Sequence, residues 1–593
     1  MSNDAPRGAR GVLDRLLPGL AQLRRYERGW LRGDVLAGLT VAAYLVPQVM
    51  AYAEIAGLAP VAGLWAITGS LLVYAFVGSS RQLSVGPEST TALMTASAVG
   101  PLALGDPERY AALAAALALL VGAICLLGWA ARLGFLADLF SKPVLTGYMA
   151  GVAVIMIVGQ LGKATGVNVE GDSVPGEVAS FVSGLTQTNL PTLALALAVL
   201  VFLLVGSHLF PKAPVLLIAV LLATAAVAVL GLEGQGIEEV GEVPGGLPTP
   251  QLPQVSVADL VALLLPALGV TMVGYTDNVL TARAFADRNH YEVDANAELL
   301  ALGTANLAAG VVRGFPVSSS GSRTAVGDSL GSRSQLHSLV ALSVVLATLL
   351  FLGPLLSSFP TAALGALVIY AALRLIDVAE FRRIARFRRS ELVLALATIV
   401  GVLVAGILYG VLIAVALSVL DLLRRVARPH DGILGYVPGL AGMHDIDDYP
   451  EARQVPGLVV YRYDSPLFFA NAQNFKRRAL GSLDLAEGPA EWLILNMEAN
   501  VEVDLTSVDA LDQLRAELER LGIVLALARV KQDLREDLAS SGFLDRVGQE
   551  RVFMTLPTAV AAYIRWYADR HGHEPPGFVS PEPPPSPLAE PNG

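Results

Sequence analysis

A polar, turn-forming passage, Gly314-Phe315-Pro316-Val317-Ser318-Ser319-Ser320-Gly321-Ser322-Arg323-Thr324, interrupts a long hydrophobic tract. Unsatisfied N–H and C=O groups are costly in hydrocarbon, so unwound backbone at membrane depth is tolerated only where it is buried in protein or lines a cavity. A short helix starting near Ser320 would aim free N–H groups and the positive end of its dipole into that cavity, beside hydroxyls and one guanidinium. Ser320, Gly321, Ser322 and Arg323 therefore read as an anion cradle. A counterpart lies in the first half of the chain, at Arg81-Gln82-Leu83-Ser84-Val85-Gly86-Pro87-Glu88-Ser89-Thr90-Thr91, where Gly-Pro breaks an apolar region and a Ser/Thr-rich half-helix follows. Two broken segments at matching places in two halves point to a transporter's binding site.

The surrounding tracts predict a polytopic α-helical membrane protein. The chain is 54% hydrophobic and 16% charged, with its apolar residues gathered into runs long enough to span a bilayer. The long, Arg-rich N-terminus carries no secretory signal pattern, so the first apolar tract, from about Val35, is expected to stay as a span. Cys125 is the single cysteine, which excludes an intramolecular disulfide and a Cys-based metal or redox site. There is no Cys/His cluster, phosphate loop or nucleophile elbow, so neither an enzyme nor a cofactor is expected.

Expected spans lie at about 35–56, 58–78, 86–103, 109–130, 133–163, 190–210, 213–231, 257–284, 293–312, 319–331, 335–353, 361–374, 390–405 and 406–423. Residues 1–33 hold seven arginines against three acids, which places the N-terminus in the cytoplasm. Alternation then puts Arg81, Arg132, Lys212, Arg283, Arg288, Arg333 and the six arginines of 374–389 inside, and the acidic connections 164–189 and 232–256 outside. Only Arg313 breaks this pattern, and it is assigned to the rim of the site. Fourteen spans with both termini cytoplasmic divide as a 7+7 inverted repeat, the broken segments third in each half.

The formal charge of −11 resides wholly in the last part of the chain. From His430 onward there are 14 Lys and Arg against 25 Asp and Glu, whereas residues 1–429 hold 27 of each. Nucleic acid is not an expected partner. The predicted organisation is a cytoplasmic segment 1–33, a transmembrane transport domain 34–428, a linker 429–454, an α/β domain 455–571 and a disordered Pro-rich tail 572–593. In the α/β domain, strands are expected at Leu458–Tyr463, Trp492–Met497 and Ile523–Ala528. Helices are expected at Ala472–Leu480, Val508–Leu521 and Lys531–Ser540.

Nearly the whole chain resembles the sulfate permease (SulP) anion transporters with a C-terminal STAS domain, mycobacterial members among them. The resemblance is carried by Asp34-x-x-Ala37-Gly38-Leu39-Thr40-Val41, Val46-Pro47-Gln48-x-Met50-Ala51-Tyr52, Ala56-Gly57-Leu58-x-Pro60-x-x-Gly63-Leu64 and Ser84-Val85-Gly86-Pro87. Phe315-Pro316-Val317-Ser318 through Val326, and Tyr463-Asp464-Ser465-Pro466-Leu467-Phe468-Phe469-Ala470-Asn471-Ala472, complete it. It implies a homodimer in the plasma membrane and a core domain (spans 1–4 and 8–11) moving as an elevator against a gate domain (spans 5–7 and 12–14). The anion is then held between the third and tenth helices, and the matching positions are Gln48, Tyr52, Glu88, Ser322 and Arg323. Two departures stand out: Trp65 where Tyr is frequent, and Glu88 where many relatives have an apolar or small residue.

Arg323 reads as the substrate's counter-charge, or as a structural partner of an acid such as Glu88. Gln48 is a ligand or a polar kink-stabiliser beside Pro47. A fixed carboxylate at Glu88 would repel an anion, so it must pair with Arg323 or be protonated when anion binds. Asp277 lies mid-span with Thr281 one turn later on the same face, and relatives carry a carboxylate there that serves cation coupling. The pair could ligate sodium, or Asp277 alone could take a proton, which is the favoured reading. Asp138, Lys142 and Lys163 read as interfacial or gate-structural. Thr506 and Ser507 fall where anti-sigma-factor antagonists carry a phosphorylatable residue, but without the usual glycine they read as helix caps. The leading expectation is a proton-coupled carrier of sulfate or a similar oxyanion. A sodium-coupled bicarbonate symporter, a passive anion exchanger or channel, and a sensor stay open as alternatives.

Overall fold

The computed structural model describes residues 16–576 except 140, 170, 172, 211–212 and 242–245, and excepting the side chains of Asp138, Leu139, Leu408 and Val411. Most of the proposed disordered tail, residues 577–593, and Arg7, Arg10, Arg15, Glu170, Asp172, Lys212 and Glu242 lie outside the described residues. The chain divides into two units, 1–418 and 419–593.

In the first unit the helices are α1 Pro18–Arg24, α2 Leu31–Ile55, α3 Val61–Val77, α4 Ser89–Ala103, α5 Pro107–Ala130, α6 Lys142–Gly159, α7 Leu161–Thr165, α8 Val174–Gly184, α9 Leu190–Leu209 and α10 Val215–Leu230. Then come α11 Val257–Arg288, α12 Ala295–Val311, α13 Gly321–Ser329, α14 Leu336–Phe351, α15 Gly353–Ser357, α16 Thr361–Leu375, α17 Val378–Phe387 and α18 Arg389–Ala427. Gly406 (φ 78°) breaks α18 into two pieces, where the sequence placed a boundary between spans. Among the described residues seven helices are long and apolar enough to cross a membrane, and α3, α10 and α14 are shorter apolar ones. The half-helices α4 and α13 follow the breaks read from the sequence.

Helix starts are set by local chemistry. Asp106 accepts from Glu108 and Arg109 N–H, Ser256 and Asp259 cap each other reciprocally, and Asp294 accepts from Asn296 and Ala297 N–H. Two expectations need correction. The expected span 133–163 is a 3₁₀ turn over Gly134–Leu139, then α6, which opens with Pro143 in its first turn, where the missing N–H leaves no helical bond unmade, and then α7. The arginine-rich connection 374–389 is not a plain linker but contains α17, capped by Asp377, whose side chain accepts from Glu380 N–H.

Helices α2–α5 and α11–α14 pack into one group, and α6, α7, α9, α10 and α16 into another, with α2 touching α10 and α16 between them. The α5–α12 crossing is glycine-lined: a Cβ on Gly122 would sit 2.8 Å from Gly303 O, and one on Gly310 2.8 Å from Ala115 O. Without a hydrophobic driving force between helices in lipid, such close backbone approach is what holds them together.

The second unit is a six-stranded sheet flanked by helices. Its strands are β3 Asp431–Tyr436, β4 Met443–Asp445, β5 Leu458–Tyr463, β6 Trp492–Asn496, β7 Val524–Ala528 and β8 Val552–Phe553, in the order β4-β3-β5-β6-β7-β8. Pairs from β5 to β8 are parallel, while β3 is antiparallel to both β4 and β5. One face buries Phe475, Leu511, Leu514, Leu538 and Phe543 from α19 Ala472–Gly481, α20 Leu505–Arg520, α21 Gln532–Ser540 and α22 Phe543–Val547. The other buries Ala559, Val560 and Tyr563 of α23 Leu556–His571.

Residues 429–454 are thus no linker, since they supply β3 and β4. Asp431 anchors β3, accepting from Arg478 Nη2 and Tyr461 Oη, each at 2.7 Å. Nor do Thr506 and Ser507 cap α20. Asp504 does, its Oδ1 accepting from Ser507 N–H and Oγ at 2.8 Å, while Thr506 is exposed in the first turn. A fragment of residues 430–571 is therefore expected to be folded and monodisperse, whereas 455–567 leaves the β5 edge bare and should aggregate or melt several degrees lower. Circular dichroism melts of the two fragments check this, and equal stability would remove β3 and β4 from the folding unit.

Candidate functional site

The two broken segments meet. Val85 pairs with Ser319 and Gly86 with Ser318 in an antiparallel ladder of two short strands, β1 Val85–Gly86 and β2 Ser318–Ser319. Ser320 N–H donates to Ser84 O at 3.0 Å, and Ser84 N–H to Thr324 Oγ1 at 3.0 Å. Just before β2, buried Asn306 serves both backbone groups of Val317, at 2.9 and 3.0 Å. Backbone that leaves the helical pattern at depth is thus satisfied from the opposite half of the chain or by one buried amide. Each strand runs into a helix, so the N-termini of α4 and α13 and their positive dipole ends come to one crossing.

Arg323 lies inside that crossing with 0% of its surface exposed. Its Nε donates to Ser84 Oγ (3.3 Å), and its Nη1 to Pro87 O (2.9 Å) and Gln48 Oε1 (3.2 Å). All three partners are neutral, and Nη2 has no partner among the described residues. Nη2 borders Gly86, where a Cβ would come within 3.4 Å of it. Gln48 Nε2 in turn donates to Tyr52 Oη at 2.9 Å, so Tyr52, Gln48 and Arg323 form a polar chain from α2 to α13.

No ion pair joins Arg323 and Glu88 among the described residues, which counts against the structural-pair alternative. Glu88 instead caps its own half-helix, accepting from Thr90 N–H at 2.7 Å and Ser89 Oγ at 2.5 Å. Asp277, half-buried on α11, accepts from Ser319 Oγ at 2.9 Å and stands within electrostatic range of Glu88. Thr281, one turn on, has its methyl 4.0 Å from where a Cβ on Gly321 would lie. Ser320 Oγ and Ser322 Oγ are 3.2 Å apart, and Gly321 and Ser322 are solvent-exposed. The crossing therefore gathers Gln48, Tyr52, Glu88, Ser89, Ser320, Gly321, Ser322, Arg323, Asp277 and Thr281.

Two fully buried carboxylates to which the sequence assigned no role brace it. Glu298 accepts from Tyr74 Oη (2.9 Å), Ser79 Oγ (2.7 Å), Ser79 N–H (3.0 Å) and Asn278 Nδ2 (2.6 Å), fixing the segment that enters β1 beside the neighbour of Asp277. Asp34 accepts from Arg333 N–H and Ser334 Oγ, each at 2.7 Å, tying the α13–α14 connection to α2. Both sit in first helical turns, where an acid reads as ordinary dipole complement. Asn306 carried a better signal, being an amide in the apolar middle of a helix. Three further charges have local partners: Lys142 pairs with Glu380 (3.1 Å), Lys163 with Glu54 (2.5 Å), and Arg313 lies 5.8 Å over the Trp65 ring.

The sulfate permease family model matches residues 31–398, and the STAS domain model residues 449–559. A probable sulfate transporter of Mycobacterium tuberculosis (strain ATCC 25618 / H37Rv) is 63% identical over 548 residues, covering 92% of this chain and 98% of the relative. The chloroplastic sulfate transporter 4.1 of Arabidopsis thaliana is 33% identical over 576 residues, covering 93% of this chain and 83% of that protein. Among solved structures, the murine Solute Carrier 26 family member A9 anion transporter in its inward-facing state superposes with a TM-score of 0.86 at 24% identity, covering 95% and 96% of the two chains. The transmembrane domain of the cyanobacterial bicarbonate transporter BicA gives 0.57 at 23% identity, covering 66% of this chain and 98% of that one. These two likenesses establish the fold.

Proposed function

The chain belongs to the sulfate permease family, and from that premise we propose that it is a proton-coupled secondary carrier of sulfate or a similar small oxyanion. The observation that carries this reading is the buried Arg323 guanidinium, held by neutral partners and with Nη2 unpartnered, at the crossing of two helix N-termini. A buried positive charge in no direct ion pair is a poor structural element and a good anion ligand. Ser320, Gly321, Ser322 and Ser89 supply hydroxyl and backbone donors around it, Gln48 orients it, and Tyr52 orients Gln48.

Relatives named sulfate transporters favour sulfate, and a transporter without enzymatic activity; bicarbonate has only a likeness of fold behind it. The group α2–α5 with α11–α14 would act as the moving core. The group containing α6, α9, α10 and α16, with α18, would be the gate, in a fourteen-span homodimer of the plasma membrane with both termini cytoplasmic. Arriving as a dianion, the substrate meets Glu88 and Asp277 as like charges, and proton uptake by these acids removes the repulsion. Sodium ligated by Asp277 and Thr281 is the competing form of the same coupling.

The full-length protein in proteoliposomes is expected to take up labelled sulfate faster under an imposed inward proton gradient than with no gradient, and unlabelled sulfate should compete. Stimulation by sodium alone would move the coupling ion. Uptake that responds to neither gradient, but needs anion inside, would make the protein a passive exchanger.

A further inference from the structure

The transport reading uses two of three polar residues that share one stripe of α2. Tyr44, Gln48 and Tyr52 recur every four residues and so lie one above another on the same face. Tyr44 is the one nearest the start of the helix, and it is half-buried where the other two are buried. The helix that carries it packs on both α16 and α13, and its hydroxyl stands within electrostatic range of Ser322, Tyr370, Arg374 and the central Arg323.

Arg374 is in the last turn of α16, four residues after Tyr370. Its Nη1 donates to Tyr370 Oη at 2.9 Å, with the guanidinium 5.8 Å over that ring. Lys142, Lys163, Arg109 and Arg288 each have a carboxylate partner, whereas Arg374 is in no ion pair among the described residues. A basic residue serving only to mark the inner membrane face would extend into water. This one folds back along its own helix onto Tyr370 while its surface stays accessible.

We propose that Arg374, Tyr370 and Tyr44 form a second, shallower binding site for a small oxyanion, on the cytoplasmic side of Arg323. The inference rests on the transport reading and on its positive-inside topology, with the start of α2 and the end of α16 at the cytoplasmic face. One guanidinium and two phenol hydroxyls suit a tetrahedral dianion, which they hand to Ser322 at the tip of α13 and thence to Arg323. Since α16 packs in the second helix group and α2 and α13 in the first, sliding of one group past the other would take this site apart. It therefore serves the face open to the cytoplasm and not the other.

The test is sided. Initial rates of labelled sulfate uptake by the full-length chain are measured against concentration in everted and right-side-out membrane vesicles. In everted vesicles Arg374→Gln should raise the half-saturating concentration by about five- to tenfold, the scale of one partly screened charge pair. Arg374→Lys should restore most of that loss, and Tyr370→Phe should produce a smaller shift in the same direction. Right-side-out vesicles should stay within about twofold of wild type, and the variant's everted half-saturation should depend less on ionic strength. An unchanged everted value, or equal shifts from both faces, would overturn the second site while wild-type uptake upholds the carrier. Wild-type vesicles inert from both faces would overturn the carrier reading and the second site with it.

Discussion

Arg323→Ala is expected to weaken sulfate binding to the purified protein by about a hundredfold or more while leaving it folded in the membrane. The magnitude follows from removing two or more charge-assisted hydrogen bonds, worth about 1.5–3 kcal/mol each, with every 1.4 kcal/mol amounting to about tenfold in affinity. The same side chain also braces the fold through Ser84, Pro87 and Gln48, so a loss of binding has to be separated from a loss of structure. Arg323→Lys makes that separation, because it keeps a buried cation but cannot reproduce the fork of donors. It should retain assembly by size-exclusion chromatography and still bind at least tenfold more weakly. Unchanged affinity in a folded Arg323→Ala protein would remove this residue from the site, and the anion would have to be held by the helix N-termini alone.

How much of this was legible depended on whether the signal was local. The half-helices were, because a Gly-Pro or a run of serines inside an apolar tract has one physical reading at membrane depth. Helix ends came within a few residues, since Asp106, Asn189 and Ser256 are local caps. Strands β5, β6 and β7 were legible as continuous apolar runs buried on both faces. By contrast β4 and β8 are short and half-exposed, β3 carries two glycines and an aspartate in place of an apolar run, and all three depend on pairing partners elsewhere in the chain. The same limit applies at the site. Gln48 and Arg323 could be singled out individually, but Pro87 O and Ser84 Oγ, more than 230 residues before Arg323 in sequence, become its partners only once the segments cross. The Arg323–Glu88 alternative paired the two obvious charges, whereas the structure satisfies Glu88 within its own half-helix and Arg323 with neutral groups from distant segments.

The largest effect on coupling is expected at Asp277. Asparagine there matches the shape of the protonated acid, and its amide oxygen can still accept from Ser319 Oγ, which now donates to the carboxylate at 2.9 Å. The strand pair that carries Ser319 should therefore keep its place, and anion binding at Arg323 should survive. What is lost is a charge that can be switched. In the wild type a charged Asp277 adds to the repulsion between Glu88 and an incoming dianion, and a proton taken from the outside relieves it during loading. An inward gradient of one pH unit supplies about 1.4 kcal/mol per proton, enough for about tenfold accumulation of a singly coupled substrate. Asp277→Asn should transport sulfate down its own gradient yet show none of that accumulation, with labelled uptake levelling at the external concentration. If the coupling ion were sodium, the variant would lose stimulation by sodium instead, and Thr281→Val should share the defect, since a proton needs no second ligand. A variant still driven in full by the proton gradient would transfer the coupling role to Glu88. Its hydrogen bonds from Ser89 Oγ and Thr90 N–H would then have to be given up or rearranged each time it took a proton.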